Sequence, residues 1–176
     1  LAADDHRTLY VYTGESPDGL YTLDPATGAA TLVGELALGF IEEGDLTYQS
    51  PSGVLLAADS VDDELLRIDP STGAATVVGA FGPEGRDVSG LAFDDAGVLY
   101  GLATMEDGPD QLVTIAPDTG VALFVGYTGT NGPNWFGGLA TDSEGTMFAS
   151  DGESLYTIDP ATGVADLIGP HGIIDI

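Results

Sequence analysis

The sequence contains no cysteine and no lysine, and three arginines are its only residues with a permanent positive charge. Without cysteine there is no disulfide framework, no thiolate nucleophile and no cysteine-ligated metal. The 29 acidic residues give a formal net charge of −26, which repels phosphate backbones and anionic lipids and excludes nucleic acid and membrane surfaces as partners. No apolar run approaches the roughly 18 residues of a membrane helix, so we expect no membrane insertion.

One sequence unit occurs four times along the 176 residues. The copies are LYTLDPATGAATLVG from Leu20, LLRIDPSTGAATVVG from Leu65, LVTIAPDTGVALFVG from Leu112 and LYTIDPATGVADLIG from Leu155. Their prolines, Pro25, Pro70, Pro117 and Pro160, are 45, 47 and 43 residues apart. A second motif, such as SGLAFDDAGVLYGLA from Ser89, lies between the copies. This period indicates a repeated structural unit.

Each repeat predicts two β-hairpins. In the third repeat, Leu91 to Phe93 and Val98 to Ala103 flank a DDAG turn, and Gln111 to Ile115 and Val121 to Val125 flank the APDTG turn. Four short antiparallel strands per period, without helical periodicity, are typical of a β-propeller blade. We predict an all-β, four-bladed β-propeller of four-stranded blades that span about residues 1–36 plus 173–176, 41–80, 87–126 and 135–169.

The repeated DPATG segment has the residues of a hairpin turn. Pro25 sets the backbone for the first corner, Asp24 can accept hydrogen bonds from nearby amides, and Gly28 can adopt the left-handed conformation that closes the hairpin. The third copy has Ala116 in place of the aspartate. A turn tolerates that change, whereas a catalytic aspartate would not, so we interpret the motif as structural.

These repeats resemble the LYxIDPxTGxAxxVG repeats of bacterial extracellular β-propellers, in the quinoprotein-dehydrogenase-like and YVTN-like propeller superfamily. The resemblance covers all four repeats, and it implies the propeller fold and an extracellular or cell-surface location. Propellers of this kind serve as scaffolds, binding modules and accessory domains, so the resemblance implies no single activity.

The two ends of the chain predict an assembly seam. The first repeat lacks the front of its innermost strand, and joining IIDI from the end to LAADDHRTLYV restores a match to DVSGLAFDDAGVLYG. Three arrangements fit: a ring closed within one chain, a module in a longer tandem chain, and a filament in which one end strand completes the next copy. The seam residues are Leu1, Ala2, Ala3, Ile173, Ile174, Asp175 and Ile176.

The loop between the second and third strands of each blade is acidic. Carboxylates in such loops suit a hard cation such as Ca²⁺, which is the one candidate cofactor. A hydrated acidic surface explains the same residues, because no loop has the ligand spacing of an EF-hand. The candidate metal ligands are Asp59, Asp62, Asp63, Glu106, Asp107 and Asp110.

The single tryptophan, Trp135, suggests a candidate ligand site. With Asn131 and Asn134 in the same loop, its ring could stack on a sugar, which would make a glycan the ligand. Packing in the channel or in a contact with a protein partner explains the tryptophan equally well.

Any site is expected at the mouth of the central channel, where Asp45, Asp87 and Asp175 can lie. The sequence has no serine-nucleophile motif, phosphate loop or zinc motif. We therefore expect a non-catalytic structural module rather than an enzyme, one that associates with copies of itself through its end strands. The alternative is a calcium-assisted carbohydrate- or protein-binding propeller.

Overall fold

The computed structural model describes residues 1–14, 18–38, 43–83, 87–104, 108–130 and 136–172, which form sixteen β-strands. The strands are β1 (Ala2–Ala3), β2 (Leu9–Thr13), β3 (Gly19–Leu23), β4 (Ala30–Gly34), β5 (Glu43–Gln49), β6 (Val54–Asp59), β7 (Glu64–Ile68), β8 (Ala75–Ala80), β9 (Val88–Phe93), β10 (Leu99–Ala103), β11 (Gln111–Ile115), β12 (Ala122–Tyr127), β13 (Gly138–Thr141), β14 (Met147–Ser150), β15 (Ser154–Ile158) and β16 (Ala165–Pro170). No helix among the described residues is long and apolar enough to cross a membrane.

The strands form four antiparallel sheets in chain order: β1–β4, β5–β8, β9–β12 and β13–β16. We call these sheets blades 1 to 4. The first strand of every blade contributes to the wall of one central channel, which confirms the predicted four-bladed β-propeller. In blade 3, the third strand runs from Gln111 to Ile115 as predicted, while the first begins at Val88 instead of Leu91.

The DPxTG segments form the turns between the third and fourth strands. Asp159 accepts a hydrogen bond from the Ala161 amide at 2.9 Å, and Gly163 has a φ of 79°, a left-handed conformation that glycine adopts at little cost. In the third copy the Gly120 amide still donates to the Ala116 carbonyl at 2.8 Å. The backbone therefore forms this turn without the aspartate, and the carboxylate supplements it.

The described core consists of three apolar clusters, which lie between blades 1 and 2, blades 2 and 3, and blades 3 and 4. Alternate side chains of a strand point to opposite neighbours, so Leu99 of β10 packs towards blade 2 and Tyr100 packs towards blade 4. Burial of a leucine-sized side chain contributes about 1.5–3 kcal/mol. The blades are therefore held together mainly by these clusters.

Candidate functional site

A cavity of about 320 Å³ lies in the central channel and is lined by three consecutive residues from the first strand of each blade. The lining segments begin with Leu1, Leu46, Leu91 and Leu139, which occupy one position of the repeat. The side chains of Leu46, Leu91 and Leu139 belong to the clusters between blades. Their backbone groups are therefore left at the channel, which is otherwise lined largely by small and apolar residues.

The carboxylate of Asp45 lies at this ring of leucine backbones. Its Oδ1 accepts a hydrogen bond from the Leu46 amide at 2.8 Å, and its Oδ2 accepts one from the Leu91 amide at 2.9 Å. The Leu139 backbone amide is close enough to lower the pKa of Asp45, and the α-ammonium of Leu1 lies 3.6 Å from Oδ1. One carboxylate therefore accepts hydrogen bonds from blades 2 and 3 and faces a backbone nitrogen of blade 1 and one of blade 4.

The surroundings of Asp45 act on its pKa in opposite directions. Its side chain is 14% exposed, and this burial raises the pKa above its ordinary value of 3.8 even though the hydrogen bonds and the α-ammonium lower it. Burial prevails because removing a carboxylate from water costs more than these contacts return.

A tyrosine hydroxyl fastens blade 1 to blade 2 beside this ring. The Tyr12 hydroxyl donates to the Ala58 carbonyl at 2.6 Å and accepts from the Gly44 amide at 2.8 Å. Gly44 directly precedes Asp45, so the hydroxyl helps to hold the segment that carries the carboxylate.

Three of the blade interfaces contain a close glycine–glycine contact. A glycine near the end of a blade's fourth strand lies against the turn glycine of the next blade, and a Cβ on either glycine would collide with backbone. These contacts also bring the backbone of neighbouring blades into hydrogen-bonding distance, as between the Ala165 amide and the Thr128 carbonyl at 2.9 Å. The pairs are Gly34–Gly73, Gly79–Gly120 and Gly126–Gly163.

The fourth interface, between blades 4 and 1, lacks this contact. Its counterparts are Gly169 and Gly28, and a Cβ built on either would meet no described atom within 4 Å. Gly28 is exposed, whereas its counterparts Gly73, Gly120 and Gly163 are buried. Within the part of the chain that the structure describes, blades 4 and 1 are therefore not joined as the other blades are.

Side-chain burial shows the same difference. Leu155 of blade 4 is 36% exposed, while Leu20, Leu65 and Leu112 at the same repeat position are 0% exposed. Ile168, whose counterparts pack against the next blade, is 54% exposed. We call the two unjoined faces the open seam: Phe148, Leu155 and Ile168 on blade 4, and Leu9, Val11, Tyr21 and Leu23 on blade 1.

The predicted seam residues are placed only in part. Ala2 and Ala3 form β1 and pair with Tyr10 and Leu9 of β2, and Leu1 extends towards Asp45. Ile173, Ile174, Asp175 and Ile176 lie outside the described residues, so the completion of blade 1 by the end of the chain stays a prediction.

The described members of the six candidate metal ligands do not point to one common position. Among the described residues, no group of three or more His, Asp or Glu side chains could hold a metal ion. Instead, Asp59 accepts from the Val61 amide at 3.0 Å, Asp63 from the Asp87 amide at 2.8 Å, and Asp62 is exposed. Asp110 is buried, and Glu106 and Asp107 lie outside the described residues.

The proposed sugar-stacking residues Trp135, Asn131 and Asn134 also lie outside the described residues, and that prediction is untested. What the sequence did not reveal is that Asp45 faces backbone nitrogens of all four blades. A signal existed, because Asp45 precedes the first leucine of its blade where blades 3 and 4 have Gly90 and Gly138.

No protein-family model matches the chain, and no curated protein sequence matches it. Many solved structures are similar to it. One is a nidogen/laminin complex, at a TM-score of 0.71 and 17% identity, with 96% of this chain and 63% of that chain covered. Another is a gluconolactonase from Xanthomonas campestris, at a TM-score of 0.68, 17% identity and coverage of 97% and 61%. A third is a PQQ-bound aldose sugar dehydrogenase from Streptomyces coelicolor, at a TM-score of 0.55, 18% identity and coverage of 96% and 79%.

These similarities show the propeller fold and confirm the resemblance at that level, without testing the repeat motif. The chain spans less than two thirds of the nidogen/laminin and gluconolactonase chains. One further similar structure is the extracellular domain of a two-component system from B. thetaiotaomicron. The location of this chain stays a prediction.

The prediction that the chain is not an enzyme is wrong. Structures of two enzymes, the gluconolactonase and the aldose sugar dehydrogenase, share its fold over almost its whole length. The physical reason is that a propeller can build a site from loops of several blades, which leaves no contiguous motif in the sequence. The missing motifs were therefore no argument against catalysis.

Proposed function

We propose that this propeller is an assembly module whose open seam takes up a second copy of the same chain. Blade 4 of one copy would pack against blade 1 of the next. The observation that carries the proposal is that glycine pairs join three blade interfaces, while Gly28 and Gly169 have no such contact in the described structure.

The chemistry of the two seam faces supports a partner of this kind. By repeat position, Phe148, Leu155 and Ile168 correspond to side chains that elsewhere pack into the next blade, and Tyr21 and Leu23 to side chains that pack into the previous one. Each face is thus built to fit the other. Since the faces differ, the contact is head-to-tail and can be extended to further copies.

Net charge sets the conditions under which such a contact forms. Each copy carries a formal charge of −26, so two copies repel each other at low ionic strength, and salt screens this repulsion. The contact surface itself is apolar. We therefore expect association to strengthen as salt is added, in contrast to contacts made by ion pairs. The nidogen/laminin structure, a complex between proteins, agrees with a protein partner for this fold.

Light scattering after gel filtration tests the proposal with two charge-matched variants. Leu155→Asp adds a negative charge to the open seam, whereas Val77→Asp adds one at a position that is exposed in all four blades: Leu32, Val77, Leu123 and Leu167 are 49%, 48%, 63% and 62% exposed. We expect the wild type and Val77→Asp to show masses above one chain that rise with protein concentration and salt.

Leu155→Asp is expected to give the mass of a single chain under the same conditions. A wild type that stays at the mass of one chain at every concentration and salt level would overturn the proposal. So would a Val77→Asp variant that dissociates as fully as Leu155→Asp.

A further inference from the structure

The ring of backbone nitrogens around Asp45 has the properties of an anion site. Leu1, Leu46, Leu91 and Leu139 occupy one repeat position. The Leu46 and Leu91 amides donate to the Asp45 carboxylate, the Leu1 nitrogen lies 3.6 Å from it, and the Leu139 amide is close enough to lower its pKa. Convergent N–H groups in a concave backbone setting bind anions well. The donors come from the repeat itself, while the acceptor comes from blade 2 alone.

The aspartate is not part of the repeat. The positions of blades 3 and 4 that correspond to Asp45 are Gly90 and Gly138. The four-fold repeat therefore produces the ring of backbone nitrogens, and the carboxylate of Asp45 alone occupies it. The side chain is largely buried, at 14% exposure, so its removal would leave a protected space that a small carboxylate such as formate can enter.

We propose that the channel mouth is a binding site for a small monocarboxylate or similar anion, and that Asp45 is its built-in occupant. The carboxylate ties four blades together because each of the nitrogens around it lies on a different blade. Removal of the side chain leaves a ring of donors that a free anion of matching size can fill. The inference is independent of the open seam, since it involves only the first strands.

Chemical rescue tests this inference. The stability of Asp45→Gly, which copies blades 3 and 4, is followed by thermal unfolding during titration with sodium formate. Ionic strength is held constant with sodium pivalate, because salt alone stabilises a chain of this charge and pivalate is a carboxylate too bulky for the vacated space. We expect formate to raise the Tm of Asp45→Gly by several degrees and to saturate, with no matching rise in the wild type.

Two further variants make the result specific. Asp45→Asn keeps the ring filled with an acceptor oxygen, so formate should leave its Tm unchanged. Asp94→Ala removes a carboxylate that accepts the Ala96 and Val98 amides at 3.0 and 2.8 Å within one exposed turn; it should not respond either, because water replaces that carboxylate.

If Asp45→Gly is unfolded on purification, refolding in formate or in pivalate is compared by circular dichroism. Recovery of the β-sheet spectrum in formate alone supports the anion site. Equal recovery in both salts, no recovery in either, or a formate response of the same size in Asp45→Asn would overturn it.

Discussion

The backbone of Gly126 in blade 3 lies directly against that of Gly163 in blade 4, so that a Cβ on Gly163 would be 2.7 Å from the Gly126 carbonyl oxygen. The same contact joins blade 1 to blade 2 and blade 2 to blade 3. Blades 4 and 1 carry the corresponding glycines, Gly169 and Gly28, and among the described residues neither makes this contact. This difference between equivalent positions is the basis of the assembly account.

Gly126→Ala tests whether the close contact holds blades 3 and 4 together. The new Cβ would collide with the Thr162 carbonyl oxygen, and because both groups are backbone the blades must separate. Overpacking of this kind costs about 1–3 kcal/mol. Gly152→Ala is the control, since a Cβ there meets no described atom within 4 Å. Urea unfolding should show a clear loss for Gly126→Ala and little change for Gly152→Ala; equal losses would argue against the contact.

Phe81 and His171 follow the fourth strand at the same repeat position, but their environments differ. Phe81 is fully buried, and its backbone bonds to both Asp63 and Ala122, whereas His171 is exposed. Phe81→Ala should therefore lower the free energy of unfolding by about 3–5 kcal/mol. His171→Ala should change it by less than about 0.5 kcal/mol. Measured on dilute protein, a large loss for His171→Ala would mean that blade 4 is packed within its own chain.

The turn aspartates predict a pH dependence of a definite sign. Hydrogen bonds from the Ala161 amide and the Thr162 hydroxyl lower the pKa of Asp159 below its ordinary value of 3.8. A lowered carboxyl pKa contributes stability above the ordinary value, and this contribution is lost as pH falls through the lowered pKa. Asp159→Ala should thus lower the Tm by a few degrees at pH 7, and the difference should shrink below about pH 4.

Asp118→Ala is the control for this pH experiment. It removes one carboxylate from the equivalent turn of blade 3, where the side chain is 92% exposed and lies 3.7 Å from Arg67. An exposed pair of this kind contributes little. A Tm difference for Asp159→Ala that stays constant from pH 7 to pH 2 would show that the carboxylate does not act through its ionised form.

The sequence predicted the fold well because the repeat carries local signals. Proline and glycine mark all four turns between third and fourth strands, with aspartate in three of them. Alternating apolar residues mark the strands, so Gln111 to Ile115 could be assigned as a strand directly. The candidate site depends on contacts between blades. The Asp45 carboxylate lies near the backbone amides of Leu91 and Leu139, which belong to other blades. No spacing in the sequence predicts this contact.

The seam shows a second limit of sequence reasoning. Leu155 is followed by nearly the same residues as Leu20, yet one is 36% and the other 0% exposed. Only their neighbours in space differ. The acidic loops show a related limit, because their sequence does not reveal that Asp59 and Asp63 accept hydrogen bonds from backbone amides; the calcium site stays a prediction.

The most direct measurement uses the absence of cysteine from the chain. Thr128 and Ala165 are joined by a backbone hydrogen bond of 2.9 Å across the blade 3–4 interface, and His171 and Ala30 are their counterparts at the seam. Thr128→Cys/Ala165→Cys should therefore form a disulfide within one chain.

Ala30→Cys and His171→Cys are prepared as separate single variants. When the two are mixed under mild oxidation they should give covalent heterodimers, and each variant oxidised alone should give few homodimers. In the double variant Ala30→Cys/His171→Cys, a ladder of covalent multimers is the predicted result, and a disulfide confined to single chains would contradict assembly through the open seam.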